Sequence, residues 1–286
     1  MNQSINHYEN FPVASLLCPP RLRPVIAAIY WFARTADDLA DEGKATVGQR
    51  LADLQTYRAN LHACAKGHDP SGRWAGLFEA LAPHIAQHSL PIELLTDLLD
   101  AFEQDVRYTA GGHWYADHDE LLQYCSKSAN PIGRLLLHLY GVTQDDALAQ
   151  ADAICSALQL INFWQDLSRD IPINRYYLPL DLIDQYGVRK DDLLELQDNE
   201  HTMQLIAACA DKAWAMMEKG FKLPQVVRYQ LGGFDGWRAS LELRCVIQGG
   251  LRILDKIRSL RHRTLRTRPK LSKWDACVVL WRAVWM

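Results

Sequence analysis

The 286-residue sequence contains no uninterrupted apolar stretch long enough to cross a lipid bilayer. Its seven cysteines are scattered and form no C-x-x-C pair, which predicts reduced thiols rather than a disulfide framework or a zinc site. Neither sign of charge dominates, and the net charge of −3 argues against a nucleic-acid partner. The polar amino-terminal residues show no signal peptide, so we expect a cytoplasmic protein.

Alternating apolar and polar residues, the pattern of strands, are scarce as well. Apolar residues instead recur at three- and four-residue spacing, which predicts amphipathic helices. We therefore predict one all-α domain over residues 1–286, with roughly ten helices. The periodic segments are 22–42, 48–66, 74–87, 91–107, 118–140, 144–170, 200–219 and 237–260.

A first acidic cluster lies near the end of the first predicted helix. Asp37, Asp38 and Asp41 repel one another unless a cation lies among them, and Mg²⁺ is the hard cation that carboxylate oxygens prefer. On a helix, Tyr30 and Arg34 share a stripe with Asp37 and Asp41. The alternative is a solvated acidic face, although the apolar flanks favour burial.

A second polar stripe lies in the segment 144–170. Asn162, Asp166 and Asp170 recur every four residues, and Gln159 lies three residues before them. The rest of this segment is rich in Leu, Ile, Phe and Trp, so its polar stripe is expected to line a space that holds water or ions. A buried hydrogen-bond network between helices is the alternative.

Two helices that present oxygen ligands to one cavity suit the ionisation of an allylic diphosphate. Metal ions and basic groups neutralise the departing diphosphate in such reactions. The carbocation left behind needs an apolar, aromatic-lined chamber that controls water. The nine Trp, eleven Tyr and seven Phe residues of the chain are enough for such a lining.

The two clusters resemble the aspartate-rich motifs of the squalene/phytoene synthase family, D-D-x-x-D at 37–41 and N-x-x-x-D-x-x-x-D at 162–170. Further matches follow in chain order at an amino-terminal flap (7–11), a central helix (119–133) and an R-x-Y-x-P run (175–179). The resemblance implies an all-α isoprenoid (prenyl) synthase fold with a central cavity between helices. It also implies an isoprenoid diphosphate as substrate.

The same resemblance implies roles for individual residues. The Mg²⁺ ligands, for which Mn²⁺ is an alternative ion, would be Asp37, Asp41, Asn162, Asp166 and Asp170. The reacting groups would be Tyr30, Asp37, Asp38, Asp41, Gln165, Asp166 and Asp170. The substrate-binding set would be His7, Arg34, Ser126, Lys127, Asn130, Gln159, Arg175 and Tyr177. No NADPH is expected, and no Gly-rich fingerprint for it occurs.

Departures from the family pattern resemble its hydroxysqualene synthase branch. Gln165 stands where members that condense two prenyl diphosphates usually have Arg, and Ser126 stands where a Tyr is expected. The branch is understood to remove diphosphate from presqualene diphosphate and to capture water. We hypothesise that polar Ser126, Asn130 and Gln165 position this water.

Two other functions remain open. The first is head-to-head condensation of farnesyl diphosphate to presqualene diphosphate, dehydrosqualene or phytoene. The second is a non-catalytic family member that acts as an assembly or scaffold protein. A homo-oligomer also remains open.

Two further segments, 97–105 and 270–286, have patterns that predict helices. The acidic residues Asp97, Asp100, Glu103 and Asp105 are predicted to form a solvated helix face, and a helix that borders the cavity is the alternative. The spacing of apolar residues in 270–286 predicts an amphipathic helix, and a basic stretch precedes it. This tail either docks back onto the domain or makes a peripheral contact with the inner membrane.

Overall fold

The computed structural model describes residues 17–286, which fold into helices and connecting turns. No strand forms in this part of the chain, and the all-α prediction is confirmed. No helix within these residues is both long and apolar enough to cross a membrane. The α-helices are α1 (Arg23–Asp41), α2 (Val47–Ala65), α3 (Ala75–His88), α4 (Ile92–Gly111), α5 (His118–Ser128), α6 (Asn130–Tyr140), α7 (Asp145–Asp170), α8 (Leu180–Gln185), α9 (Lys190–Leu194), α10 (Glu200–Lys219), α11 (Leu223–Leu231), α12 (Gly233–Ser259) and α13 (Lys273–Trp285).

The predicted helix 118–140 is two helices that break at Ala129. Pro131 has no backbone N–H, and its ring disfavours a continuous helix through the residues before it. Ala129 accordingly has φ −123° and ψ −47°, and α6 starts at Asn130. The break turns the chain where α5 and α6 both line the central cavity.

Local sequence signals fix several helix ends. α2 and α10 begin with capping boxes, in which Thr46 pairs with Gln49 and Asn199 with Thr202. Gly141 ends α6 in the left-handed conformation, which costs glycine little.

The buried side chains form two clusters. One is built mainly from α1 to α4, and the other surrounds α7. α7 packs against α6, α10 and α12, while α1 packs against α2, α3 and α4. Tyr140 contacts both clusters, and the central cavity lies between α1 and α7.

Glycines bring two helices close to α7. A Cβ on Gly133 of α6 would lie 2.6 Å from Cys155 Sγ, and one on Gly250 of α12 would lie 2.7 Å from Leu158 Cδ2. Cys155 and Leu158 also line the cavity. These close approaches therefore determine how near α6 and α12 lie to α7 at the cavity wall.

Candidate active site

A cavity of about 860 Å³ lies inside the helical bundle. Its volume falls in the upper part of the range of small-molecule pockets, about 300–1,000 Å³. Helices α1, α4, α5, α6, α7 and α12 all contribute to its lining. One end, called the acidic end below, is lined by Asp37, Asp41, Asp105, Asp166 and Asp170.

The carboxyl-terminal half of α1 forms one side of the acidic end. Arg34, Asp37 and Asp41 line the cavity because residues three and four apart share a helix face. Arg34 pairs with Asp37 Oδ2 at 3.1 Å and with Asp38 Oδ1 at 2.6 Å. Asp38 itself lies outside the cavity lining, so Arg34 connects the cavity stripe to the neighbouring face.

The predicted polar stripe of α7 forms the opposite side. Gln159, Asn162, Asp166 and Asp170 all line the cavity. Asp166 is held by a two-pronged ion pair with Arg268, whose Nη2 donates to Asp166 Oδ2 at 3.1 Å. Arg268 comes from the segment between α12 and α13, more than 100 residues away in sequence, and no local pattern predicted it.

Arg175 joins the two sides. Asn174, at φ 61°, turns the chain just after α7, and Arg175 then pairs with Asp41 at the end of α1. The carboxyl ends of α1 and α7 therefore meet at one place. Arg175 Nε is buried and has no hydrogen-bond partner among residues 17–286.

Asp105 on α4 completes the acidic end, although the sequence favoured a solvated face over the cavity border for it. That prediction is wrong. Asp105 lines the cavity and accepts hydrogen bonds from Tyr124 Oη at 2.5 Å and Tyr177 Oη at 3.3 Å. Tyr177 stacks on Phe163 with ring centroids 3.7 Å apart. The overlooked signal is that Asp105 lies at helical spacing from the apolar Phe102.

The acidic end raises the pKa of several carboxyl groups. Burial, then the neighbouring Asp41, raises the pKa of Asp37 to about 7. Burial, then Asp166, does the same for Asp170. Asp37 keeps part of its surface accessible, and it lines the cavity. An entering cation would favour the ionised carboxylates.

The donor chemistry of this end fits a divalent cation. Carboxylate and amide oxygens on two facing helices are ligands that Mg²⁺ prefers. Burial raises the pKa of Asp37 and Asp170 even though arginines lie nearby, so a bound cation would favour their ionised forms. Within residues 17–286, no three such side chains already converge into a metal cluster. Three of the carboxylates are instead paired with Arg34, Arg175 and Arg268.

The remainder of the cavity is mainly apolar. The side chains that give it this character are Ile26, Ile29, Ile132, Leu136, Ile154, Leu158 and Leu243. Tyr30 lies one helical turn before Arg34, Ser128 one turn after Tyr124, and Gln159 one turn before Asn162. This spacing places the three residues between the acidic end and the apolar chamber. Ser128 Oγ is buried and makes no hydrogen bond to residues 17–286.

Comparison with known proteins identifies the family. The sequence profile of squalene/phytoene synthases matches residues 5–275. The chain belongs to the squalene/phytoene synthase family. Members of this family are isoprenoid synthases that act on isoprenoid diphosphates.

Several squalene/phytoene synthase relatives share a more specific name. The hydroxysqualene synthase of Zymomonas mobilis is 36% identical, over 74% of this chain and 68% of its own length. That of Rhodopseudomonas palustris is 34% identical, over 78% of this chain and 73% of its own. The crystal structure of squalene synthase HpnC from Alicyclobacillus acidocaldarius is 34% identical and matches with a TM-score of 0.78, over 90% of each chain.

Three residues predicted to position water in this squalene/phytoene synthase do not line the cavity. Gln165 is fully buried, and its Nε2 donates to the Pro269 carbonyl at 2.8 Å. Asn130 is buried and accepts a hydrogen bond from Ser156, while Ser126 is exposed and donates to its own helix backbone. The water hypothesis for these residues does not fit their placement, because Gln165 and Asn130 are committed to packing contacts and Ser126 faces solvent.

One other predicted substrate-binding residue, Lys127, also lies outside the cavity lining. Lys127 Nζ pairs with Asp100 Oδ2 at 2.7 Å on a half-exposed surface. His7 lies outside the described residues. By contrast, the structure brings Tyr30, Arg34 and Arg175 to the same cavity, where Gln159 and Tyr177 also lie.

Proposed function

We propose that the chain converts presqualene diphosphate and water into hydroxysqualene and diphosphate. The observation that carries this proposal is the acidic end, which opens onto an apolar chamber large enough for a long isoprenoid. The relatives named hydroxysqualene synthase, at 31–36% identity, support this reaction over others in the family.

The acidic end is the proposed diphosphate site. Mg²⁺ would be held there by Asp37, Asp41, Asn162, Asp166 and Asp170. When bound, Mg²⁺ (or Mn²⁺) supplies positive charge that stabilises the departing diphosphate.

Arginines at the same end would assist this departure. Arg34, Arg175 and Arg268 line the cavity, and their N–H groups would bind diphosphate oxygens by charge-assisted hydrogen bonds. Arg175 Nε supports this role, since it is buried without a partner among the described residues.

The carbocation would remain in the apolar chamber. The C–O bond to diphosphate breaks and both electrons leave with the phosphate oxygen. The apolar walls keep bulk water from the cation while it rearranges, and the Tyr30 ring at the boundary would stabilise its charge.

Water capture would end the reaction at the boundary. The Ser128 hydroxyl, free of protein partners among residues 17–286, would hold one water molecule beside the cation. The water oxygen forms the new C–O bond, and its proton leaves to the released diphosphate. No reductant is consumed, so no NADPH is required.

Condensation of farnesyl diphosphate is the second candidate. The presqualene diphosphate synthase of Zymomonas mobilis is 29% identical to this chain over 206 residues. Gln165, which distinguished the two reactions in the sequence, lies outside the cavity and no longer separates them. Four arginines line the cavity, which favours a site able to hold more than one diphosphate: Arg34, Arg169, Arg175 and Arg268.

The deciding experiment incubates purified protein and Mg²⁺ with each diphosphate separately, without NADPH, and identifies the products by mass spectrometry. A hydroxylated C30 alcohol from presqualene diphosphate supports the proposal. Asp37→Ala and Asp166→Ala should lower its formation by about 100-fold or more, whereas Asp53→Ala, on an exposed surface pair, should not. Presqualene diphosphate formed from farnesyl diphosphate would assign condensation instead, and no turnover of either substrate would favour a scaffold role.

A further inference from the structure

Helix α13 turns two of its three charged side chains, those of Asp275 and Arg282, towards the protein. Asp275 is buried and accepts a hydrogen bond from Arg252 Nε at 2.7 Å, and Lys256 Nζ lies 2.8 Å from its other oxygen. Arg282 Nη1 donates to Asp255 Oδ2 at 2.7 Å. These contacts fasten α13 to α12 by ion pairs, which is unusual for a surface helix.

The outer face of α13 is apolar. Three tryptophans dominate it, with 82% of Trp274, 66% of Trp281 and 77% of Trp285 exposed. They share one side of the helix because they are separated by seven and four residues. Leu280 and Val284 extend the same exposed face. A patch of this kind on a protein surface usually marks an interaction site.

A cationic segment leads into this face. The exposed members are Arg261, Arg263, Arg266, Lys270 and Lys273. No acidic residue occurs between Lys256 and Trp274. None of the five exposed cations makes an ion pair within residues 17–286. Arg263 and Arg266 donate hydrogen bonds to Met203, Leu196 and Gln197, whereas Lys270 and Lys273 are exposed within four residues of Trp274. The segment is locally basic although the whole chain carries a net charge of −3.

We infer that the outer face of α13 docks the protein on an anionic lipid surface. Tryptophan side chains favour the interface between headgroups and hydrocarbon, because the ring is apolar and its N–H is polar. The adjacent cations complement the negative headgroups of acidic phospholipids. The apolar face supplies the hydrophobic attraction that an interfacial helix needs, and the basic segment supplies the electrostatic one.

A second copy of the chain fits this surface less well. A two-fold dimer brings the same patch of both copies together, so the cationic segments would lie close to one another. Like charges placed together across an interface oppose association. A lipid surface meets both the apolar and the cationic parts without this conflict.

The test is flotation of the full chain with lipid vesicles. One set contains phosphatidylcholine alone, and the other also contains phosphatidylglycerol at about one part in three. We expect binding to the anionic vesicles that weakens as salt concentration rises, because screening reduces the attraction of the cations. Vesicles that carry brominated acyl chains should quench part of the tryptophan fluorescence.

Matched variants separate the two attractions. Trp274→Ser, Trp281→Ser and Trp285→Ser, singly and together, should weaken binding, by about tenfold or more for the triple variant, and abolish most quenching. The double variant Lys270→Gln with Lys273→Gln should weaken binding to the anionic vesicles and leave any binding to phosphatidylcholine vesicles unchanged. Tyr229→Ser, at an exposed site on α11, and the pair Lys66→Gln and Lys219→Gln should bind as the parent does.

Two results would overturn the inference. One is a parent protein that fails to float with anionic vesicles at low salt, or a triple tryptophan variant that floats equally well. The other is a dimer, detected by light scattering, that the tryptophan substitutions dissociate while the parent binds no vesicles. Circular dichroism of each variant verifies that the helices are retained.

Discussion

Ser128 is chemically distinct among the residues at the boundary of the cavity. A serine within a helix commonly donates its hydroxyl to the backbone one turn earlier, as Ser126 effectively does with the Gln123 carbonyl. Ser128 Oγ makes no such bond and is buried at the cavity wall. A polar atom in this state requires a partner, and a water molecule satisfies it.

Replacing this hydroxyl is expected to change the product rather than the consumption of substrate. In Ser128→Ala, the cation still forms but has no positioned water, so the hydroxylated fraction should fall by about tenfold and hydrocarbon products should rise. Gas chromatography of the products from presqualene diphosphate measures the partition.

Ser126→Ala is the matched control, since it removes the same atom two residues away on the exposed side of α5. It should leave the partition unchanged. Equal effects of both substitutions, or none from Ser128→Ala, would remove Ser128 from the mechanism.

Residues that could be predicted from the sequence are those whose neighbours are local. Asp37 and Asp41, like Asp166 and Asp170, align through the helix repeat alone, so their spacing predicted a shared face. Arg268 could not be found in this way, because only the folding of α12 and α13 against α7 brings it to Asp166.

At the scale of elements, the crossing of α11 and α12 depends on a glycine. A Cβ on Gly236 would lie 2.3 Å from the backbone oxygen of Arg228, which cannot rotate away as a flexible side chain would. The two helices pack side by side after the turn at Gly232, where φ is 64°.

Gly236→Ala should therefore lower the free energy of unfolding by about 1–3 kcal/mol, despite the better helix propensity of alanine. Urea unfolding followed by circular dichroism measures this change. Gly48→Ala is the control, because it adds the same methyl group to α2 with no atom within 4 Å. It should be neutral or stabilising by up to about 1 kcal/mol, and a stabilising Gly236→Ala would contradict the crowding argument.

The attachment of α13 depends on Asp275. Burial alone would raise the pKa of Asp275, but hydrogen bonds from Lys256 and Ser272 outweigh it and lower that pKa. Because the pKa is lower in the folded chain than in the unfolded one, this contribution to stability is present above about pH 4 and lost as pH falls below it.

Asp275→Asn removes the charge while keeping the size of the side chain. We expect a loss of about 1–3 kcal/mol of stability at pH 7, since Arg252 and Lys256 lose their counter-ion. Limited proteolysis should cut the variant near Lys270 and Lys273 sooner than the parent. Asp211→Asn, on an exposed pair with Arg258, is the comparison and should change stability by less than about 0.5 kcal/mol. Equal protease sensitivity of parent and Asp275→Asn would contradict the anchoring role.

The boundaries of elements could be predicted only in part. The long helices follow their apolar periodicity, whereas α8, α9 and α11 have at most nine residues and show little of it. The division of 118–140 had a visible cause in Pro131, but periodicity continues across the break and concealed it.

At the scale of the whole molecule, the acidic end joins parts of the chain that are distant in sequence. α1, α4, α7 and the segment before α13 all contribute charged groups to it. A ligand bound there contacts each of them and is expected to stabilise the entire fold rather than one helix.

Mg²⁺ and inorganic diphosphate together should therefore raise the melting temperature by about 5 °C when the ligands are about 100-fold above their dissociation constant. Either one alone should have a smaller effect, and EDTA should reverse the shift. Differential scanning fluorimetry measures it.

The double variant Asp37→Asn with Asp166→Asn should lose this shift. The control Asp53→Asn with Asp69→Asn changes residues of the same type outside the cavity lining and should keep it. A shift that survives in the first variant would place the diphosphate elsewhere.

The all-α architecture could be predicted because composition and periodicity act over the whole chain. The meeting of the carboxyl ends of α1 and α7 could not, since it depends on the turn at Asn174 and the pair of Arg175 with Asp41.

The contact between Gln165 and Pro269, with the adjacent pair of Asp166 and Arg268, has a practical consequence for protein production. A shortened chain that ends before residue 261 would look like a convenient soluble version without the tryptophan-rich helix. It would also remove a guanidinium from the acidic end and leave a buried amide without its acceptor. Inactivity of such a shortened chain would therefore say nothing about lipid binding, and substitutions within α13 are the cleaner route.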